Sequence, residues 1–264
     1  MQLNAKFEKL SRQEINRWIV TTVHFSLQEI KLRYRGSFMG PMWIVLNTLI
    51  QIITICVIYP KVFSVDRGEY VKWIACGIIP WQFIALSITE SCTTYVASRG
   101  IYSSQSIPMS FFAYKQVLTN VFIFLHQIPT YLLIAFLFDI PITIVSFLNL
   151  MFGLVIIAYI MYHITLILGV FAARFSDVSQ IIANMMNLAF LLTPIIWIPK
   201  LVSGSHYMTM FNPLFYFIDV LRTPLLGENV AYQTWGVLFA MALIITPIAR
   251  KIFSSYRQQI IFWG

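Results

Sequence analysis

Between Asp139 and Arg174 the chain reads IPITIVSFLNLMFGLVIIAYIMYHITLILGVFAA, residues 140–173, without a single Lys, Arg, Asp or Glu. A transmembrane helix needs about 20 apolar residues at a rise of about 1.5 Å each. This interval is too long for one upright helix and too short for two with a turn. Its helix is therefore placed from Val145 to Ala173, with the residues around Pro141 at the interface. Outward from it the same pattern recurs in uncharged stretches at 36–60, 73–89, 116–138, 178–199 and 229–249. Six spans follow, at about 37–60, 71–97, 113–138, 145–173, 178–198 and 229–250.

The composition agrees. Of 264 residues, 59% are hydrophobic and 11% charged, against about 25% charged in soluble domains, which excludes a water-soluble globular protein. The length suits one membrane domain over 1–264. The predicted fold class is all-α and polytopic.

Residues 201–226 are also apolar but are interrupted by Ser203, Gly204, Ser205, Asn212, Pro213, Asp219, Arg222 and Pro224. Irregular backbone survives at membrane depth only where protein or water surrounds it. The stretch 200–226 is read as a re-entrant outer hairpin, and a loop on the outer surface is the alternative.

The net charge of +8 has a topological explanation. With the N-terminus inside, the inner side receives Lys6, Lys9, Arg12, Arg17, Lys31, Arg33, Arg35, Arg99, Lys115, Arg174, Arg250, Lys251 and Arg257, and the outer side only Lys61, Arg67, Lys72, Lys200 and Arg222. This bias is the positive-inside pattern. It puts both termini in the cytoplasm and makes a nucleic-acid partner unnecessary.

The first 35 residues carry helix chemistry rather than a signal peptide. Ser11-Arg12-Gln13-Glu14 fits a capping box, and Ile15, Ile19, Val23, Leu27 and Ile30 recur at helical steps. An amphipathic cytoplasmic helix follows, either a membrane anchor or a docking surface for a partner. The inner loop from Arg99 to Lys115, with Tyr102 and Pro108, is too apolar for an idle connector. A short helix against protein, or against lipid, explains it.

Chemistry is sparse. Cys56, Cys76 and Cys92 lie in apolar runs without metal or redox spacing, and no G-x-x-x-x-G-K-[ST] loop is present. If ATP drives the protein, another subunit binds it. Neither H-E-x-x-H, G-x-S-x-G nor paired carboxylates at helical spacing appear. Glu90 falls about 28 Å along its helix, near the inner interface, where pairing with Arg99 or the basic end of the amphipathic helix is favoured over the alternative, a proton relay. His126 and His163 are single imidazoles in apolar helices, and Asp219 and Arg222 are spaced for a local pair. Aromatic residues make sliding surfaces for sugar rings, and Tyr95, Tyr114, Tyr131, Tyr159, Tyr162 and Tyr216 add hydroxyls. Interface placement and core packing account for each of these residues better than a path for sugar does.

Several motifs in order carry a resemblance. They are Arg33-Tyr34-Arg35-Gly36-Ser37-Phe38-Met39-Gly40-Pro41-Met42-Trp43 before span one, and Gly77-Ile78-Ile79-Pro80-Trp81 in span two. Phe190-Leu191-Leu192-Thr193-Pro194-Ile195-Ile196-Trp197 ends span five, and Asn212-Pro213-Leu214 follows it. Together they resemble the type-2 ABC permeases that export O-antigen, capsule and teichoic acid chains. The family's [FY]-R-D after span four stands here as Arg174-Phe175-Ser176-Asp177, with Ser176 in place of the arginine.

The resemblance implies a transport subunit of the bacterial cytoplasmic membrane and not an enzyme. Two copies of the chain would form a conduit, with two copies of a separate ATPase that binds ATP and magnesium, so that this chain needs no cofactor. The cargo implied is a lipid-linked, O-antigen-like polysaccharide, and membrane lipids surround the assembly. Arg33, Arg35, Arg99, Tyr102, Pro108, Arg174 and Asp177 would couple to the ATPase, while Tyr95, Tyr131, Tyr159, Trp197 and Tyr216 would line the path or gate. The alternatives are export of capsule, teichoic acid or a small hydrophobic compound, a non-ABC transporter, or a membrane glycan enzyme.

Overall fold

A computed structural model describes residues 12–63, 65–104, 107–202 and 205–263. Among them the secondary structure is helical, with no strand. The principal elements are α1 (Arg12–Arg33), α2 (Met42–Phe63), α3 (Arg67–Ser91), α4 (Thr94–Ala97), α5 (Arg99–Ser104), α6 (Met109–Leu125) and α7 (Ile128–Leu137). There follow α8 (Ile144–Arg174), α9 (Asp177–Leu192), α10 (Ser205–Met210), α11 (Pro213–Leu225) and α12 (Tyr232–Tyr256). Among the described residues, five helical stretches are long and apolar enough to cross a membrane: Met42–Tyr59, Arg67–Ser91, Met109–Leu137, Ile144–Arg174 and Tyr232–Tyr256.

The fifth expected span, 178–198, is the one that differs. Helix α9 has 16 residues, about 24 Å at helical rise, short of the roughly 30 Å hydrocarbon core. Pro194 ends it, because the residue before a proline is driven into extended backbone, and Thr193 takes φ −87, ψ 139. Other boundaries shift for local reasons. The first span begins at Met42 rather than 37, since Gly36 and Gly40 take positive φ and make the turn out of α1. Expected span 71–97 divides into α3 and α4. Expected span 113–138 divides at His126-Gln127, with Pro129 in the first turn of α7. The capping-box Ser11 lies outside the described residues.

Helix α3 is the most buried of the five and packs against α2, α6, α8, α9 and α11, while α12 packs on α8 and α1 on α6. The core is mostly isoleucine and aromatic: Ile74, Ile78, Ile84, Ile157, Ile160, Phe83 and Phe217 are all essentially inaccessible. Small residues let backbones approach, as is usual between membrane helices. A Cβ on Gly169 would stand 2.7 Å from the Tyr95 ring, and one on Gly153 3.0 Å from the Val220 carbonyl oxygen.

Helix α1 is not a free anchor. Trp18 and Phe25 pack on Phe111 at 5.6 and 5.7 Å, and Ser26 donates to the Lys115 carbonyl at 3.1 Å. Glu29 pairs with Lys115 at 2.7 Å. Its buried face runs through Ser26 and Ile30, whereas Ile19, Val20, Leu27 and Leu32 remain exposed. Thus the expected apolar stripe is divided between the bundle and an open face.

Candidate functional site

The motifs that lie far apart in sequence meet in space. Trp81 of the second motif packs against Phe190 of the third at 5.5 Å. Asn212 donates through its amide nitrogen to Thr193 Oγ1 at 2.9 Å and caps α11 by accepting from the Leu214 amide. Tyr70 at the start of α3 donates to the Ile196 carbonyl at 2.7 Å. The break after α9 is therefore tied both to α3 and to the start of α11.

Arg222 sits at the centre of this junction. It is 2% exposed, donates to the Pro194 carbonyl at 2.6 Å, and stacks over Trp73 at 4.1 Å. Gly77 makes room for it, since a Cβ there would stand 2.2 Å from Nη2. Nε and Nη2 have no hydrogen-bond partner among the described residues. The expected pairing with Asp219 does not form: that carboxylate accepts instead from Thr223 and Thr234.

Below this junction lies a groove of about 590 Å³ between α2, α3 and α9. Its wall carries a ladder of neutral amides. Gln82 Oε1 accepts from Thr48 at 2.9 Å and from Gln127 at 2.6 Å, and Gln82 Nε2 donates to Gln51 at 2.8 Å. Asn47 and Asn187 are exposed on the same wall, with Trp81, Phe190 and Tyr34 as aromatic neighbours. Gln82 lies nine residues before the end of α3, about 13 Å from the α1 end of the bundle. Hydrogen bonding between side chains is the usual device for holding polar groups at such depth.

At the α1 end, Arg33 pairs with Glu90 at 2.8 Å, with side chains 31% and 21% exposed, and Gln116 donates to the same carboxylate. Of the two partners expected for Glu90, the basic end of α1 is the one observed. Tyr34 beside it has its phenol pKa raised by burial, opposed by the Arg33 charge. Arg99 donates to the Trp263 carbonyl at 2.6 Å, and Arg174 lies over the Trp263 and Phe175 rings at 5.4 and 5.9 Å. Arg99 and Arg174 thus share one tryptophan, supplied by a short segment after α12 whose Ile260 is buried with Tyr95 and Phe112. Arg35 and Asp177 are exposed, and no ion pair joins Arg174 to Asp177 among the described residues. Pro108 precedes α6 as its cap residue. The Tyr102 side chain lies outside the described residues.

The aromatic residues separate into three environments. Tyr95 is fully buried against Gly169 and Phe253, and Tyr216 is buried with its hydroxyl on the Met210 carbonyl. Tyr131 bonds the Leu225 carbonyl, and Trp197 donates to the Leu191 carbonyl. Tyr159 lies in a second groove between α8 and α12, with its hydroxyl on Thr246. None of these five lines the central groove. Its amides were missed because Asn and Gln are uncharged and pass as part of an apolar interval. A search for amides inside each span would have found Asn47, Gln51, Gln82 and Gln127.

The three cysteines are buried and free, and no group of metal-ligating side chains occurs among the described residues. His126 and His163 each donate through Nδ1 to a carbonyl one turn back.

Comparison with known proteins bears on the whole arrangement. The family profile described as ABC-2 type transporter matches residues 23–226. The O-antigen export system permease protein RfbA of Klebsiella pneumoniae is 24% identical over 237 residues, 88% of this chain and 90% of that protein. The protein of the same name from Myxococcus xanthus is 21% identical over 239 residues, with the same coverage. The matched region takes in α2 to α11, and with it both the amide groove and the Arg222 junction. The chain therefore belongs to the ABC-2 type transporter family, as a multi-pass membrane permease, a transport subunit of the kind that works with a partner ATPase.

Proposed function

We propose that the chain is the membrane half of an ATP-driven exporter that carries a lipid-linked, O-antigen-like polysaccharide across the bacterial cytoplasmic membrane. The observation that carries this reading is the central groove. It offers neutral amides and aromatic faces without a charge at mid-depth, which suits a hydroxyl-rich neutral polymer that must slide without being trapped. The naming of the relatives as O-antigen export permeases points the same way.

The assembly proposed has two copies of the chain and two of an ATPase. The groove is open between α2 and α9, whose exposed Ile50, Ile53, Val57, Ile181, Met185, Leu188 and Leu191 suit a second copy that would close the conduit. The six-span topology needs α9 and the extended residues after it to count as one crossing, with both termini cytoplasmic. The 200–226 hairpin is then the outer gate. The cytoplasmic ends of α1, α5, α8 and α9, with Arg33, Arg35, Arg99, Tyr102, Pro108, Arg174 and Asp177, form the surface toward the ATPase, which supplies ATP and magnesium. This chain itself holds no cofactor in this reading and forms one membrane domain over 1–264. Of the aromatic residues, Tyr216 lies within the gate, with its hydroxyl on the Met210 carbonyl, and Tyr131 reaches it through the Leu225 carbonyl.

Gln82 is the test. A Gln82→Leu chain keeps the volume and removes the hub that receives Thr48 and Gln127. Export by the reconstituted complex should fall at least fivefold, with ATPase association unchanged. Export at the wild-type rate would remove the amide ladder from the path.

A further inference from the structure

A second groove, of about 370 Å³, runs between α8 and α12 and is lined by Tyr159, Phe239, Ala242, Leu243, Thr246, Pro247 and Arg250. Its two ends differ in chemistry. Phe239 and Leu243 are exposed apolar residues, 57% and 76% accessible. Arg250 is exposed, and no carboxylate pairs with it among the described residues. Between them Tyr159 donates to Thr246 Oγ1 at 2.8 Å, and Thr246 donates on to the Ala242 carbonyl at 2.7 Å. Pro247, having no N–H, leaves the Leu243 carbonyl without its usual helical donor.

The dimensions match one leaflet. Phe239 and Arg250 are eleven residues apart, about 16 Å of helix, against a hydrocarbon core of about 30 Å. Arg250 lies eighteen residues into α12, about 27 Å from its Tyr232 end, so it reaches the far headgroup level while Phe239 stays in hydrocarbon. A basic residue at that level attracts anionic lipid headgroups.

We propose that this groove is the seat of one anionic phospholipid of the inner leaflet. The phosphate rests on Arg250 and an acyl chain lies along Leu243 and Phe239. A second copy of the chain is the poorer occupant, because a two-fold contact presents the same patch to itself and would bring Arg250 toward its own symmetry mate. Only the choice of leaflet rests on the orientation proposed above. Lipid retention is read without it, so this inference and the export reading fail separately.

The full chain, purified with its partner in mild detergent, is titrated with phosphatidylglycerol and examined by native mass spectrometry. Retained lipid should fall at least fivefold in Arg250→Gln, which removes the phosphate contact, and in Leu243→Trp, which fills the chain groove. It should be unchanged in Lys251→Gln, one residue away on the same exposed end, and unaffected by millimolar inorganic phosphate. Equal losses in Arg250→Gln and Lys251→Gln would mean diffuse attraction, and full retention in Leu243→Trp would mean no seat. Displacement by phosphate would assign the site to the anion alone, and disulfide dimers of Leu243→Cys would assign the face to a second copy. Each of these four results overturns the proposal.

Discussion

Replacing Arg222 by alanine is expected to cost the folded chain about 2–4 kcal/mol, while Arg222→Met should cost much less. The alanine removes three contacts at once. The Pro194 carbonyl loses its 2.6 Å donor, the Trp73 face loses its cation, and a void opens against Gly77. Methionine refills that void along the tryptophan. It also relieves the burial of a cation with two unpartnered donors, and an uncompensated buried charge costs several kcal/mol, here only partly returned by a cation–π contact of about 2 kcal/mol. Thermal unfolding in detergent, followed by size-exclusion fluorescence, measures both variants. An alanine variant as stable as wild type would mean that Arg222 does not hold the junction. A methionine variant as unstable as alanine would mean that the charge itself is what stabilises it. Folded Arg222→Met should still export at least fivefold more slowly, because the Thr193–Ile198 turn loses the Arg222–Pro194 bond and keeps only the Asn212–Thr193 bond to the 205–225 segment.

The Arg33–Glu90 pair carries the second large effect. Glu90→Ala leaves the Arg33 guanidinium and the Gln116 amide without their common acceptor. The link between the end of α1 and the end of α3 is then lost. ATP-coupled export should fall at least tenfold while the ATPase still co-purifies, since the exposed face of α1 is untouched and Glu29–Lys115 still holds α1 to α6. Exchanging the charges, Arg33→Glu with Glu90→Arg, should return at least a third of the activity. This double-mutant comparison isolates the pair from each residue alone. Full export by Glu90→Ala, or no return in the exchanged protein, would show that motion of α1 does not pass through this contact.

The architecture was largely legible because charge is so costly in a bilayer that uncharged intervals mark helices directly. The start of α8, placed at Val145 from sequence, is Ile144. Counting residues put Glu90 near the end of its helix, where the basic end of α1 meets it. Proline and glycine set the boundaries that the intervals could not show: Gly36 and Gly40 delay α2, and Pro194 shortens α9. The pairing of Arg222 was misread because i,i+3 spacing on a helix gives proximity and not direction. The fold offers Asp219 two threonine hydroxyls on one side and Arg222 a carbonyl and an indole on the other. Neutral amides left no mark on a reading built from charges, so Gln51, Gln82 and Gln127 emerged only when three helices were seen together. The Trp263 contact with Arg99 and Arg174 joins residues 164 positions apart at most, a distance no local pattern spans.

The central claim is best tested by reconstituting the chain with its ATPase in proteoliposomes and following ATP-driven movement of a lipid-linked O-polysaccharide to the opposite leaflet, with the native mass of the complex recorded in parallel. The expected result is a complex of two permeases and two ATPases, transport that stops when ATP hydrolysis is blocked, and at least a fivefold loss in Gln82→Leu. A permease that purifies alone, or a two-to-two complex that hydrolyses ATP without moving the glycan, would contradict it.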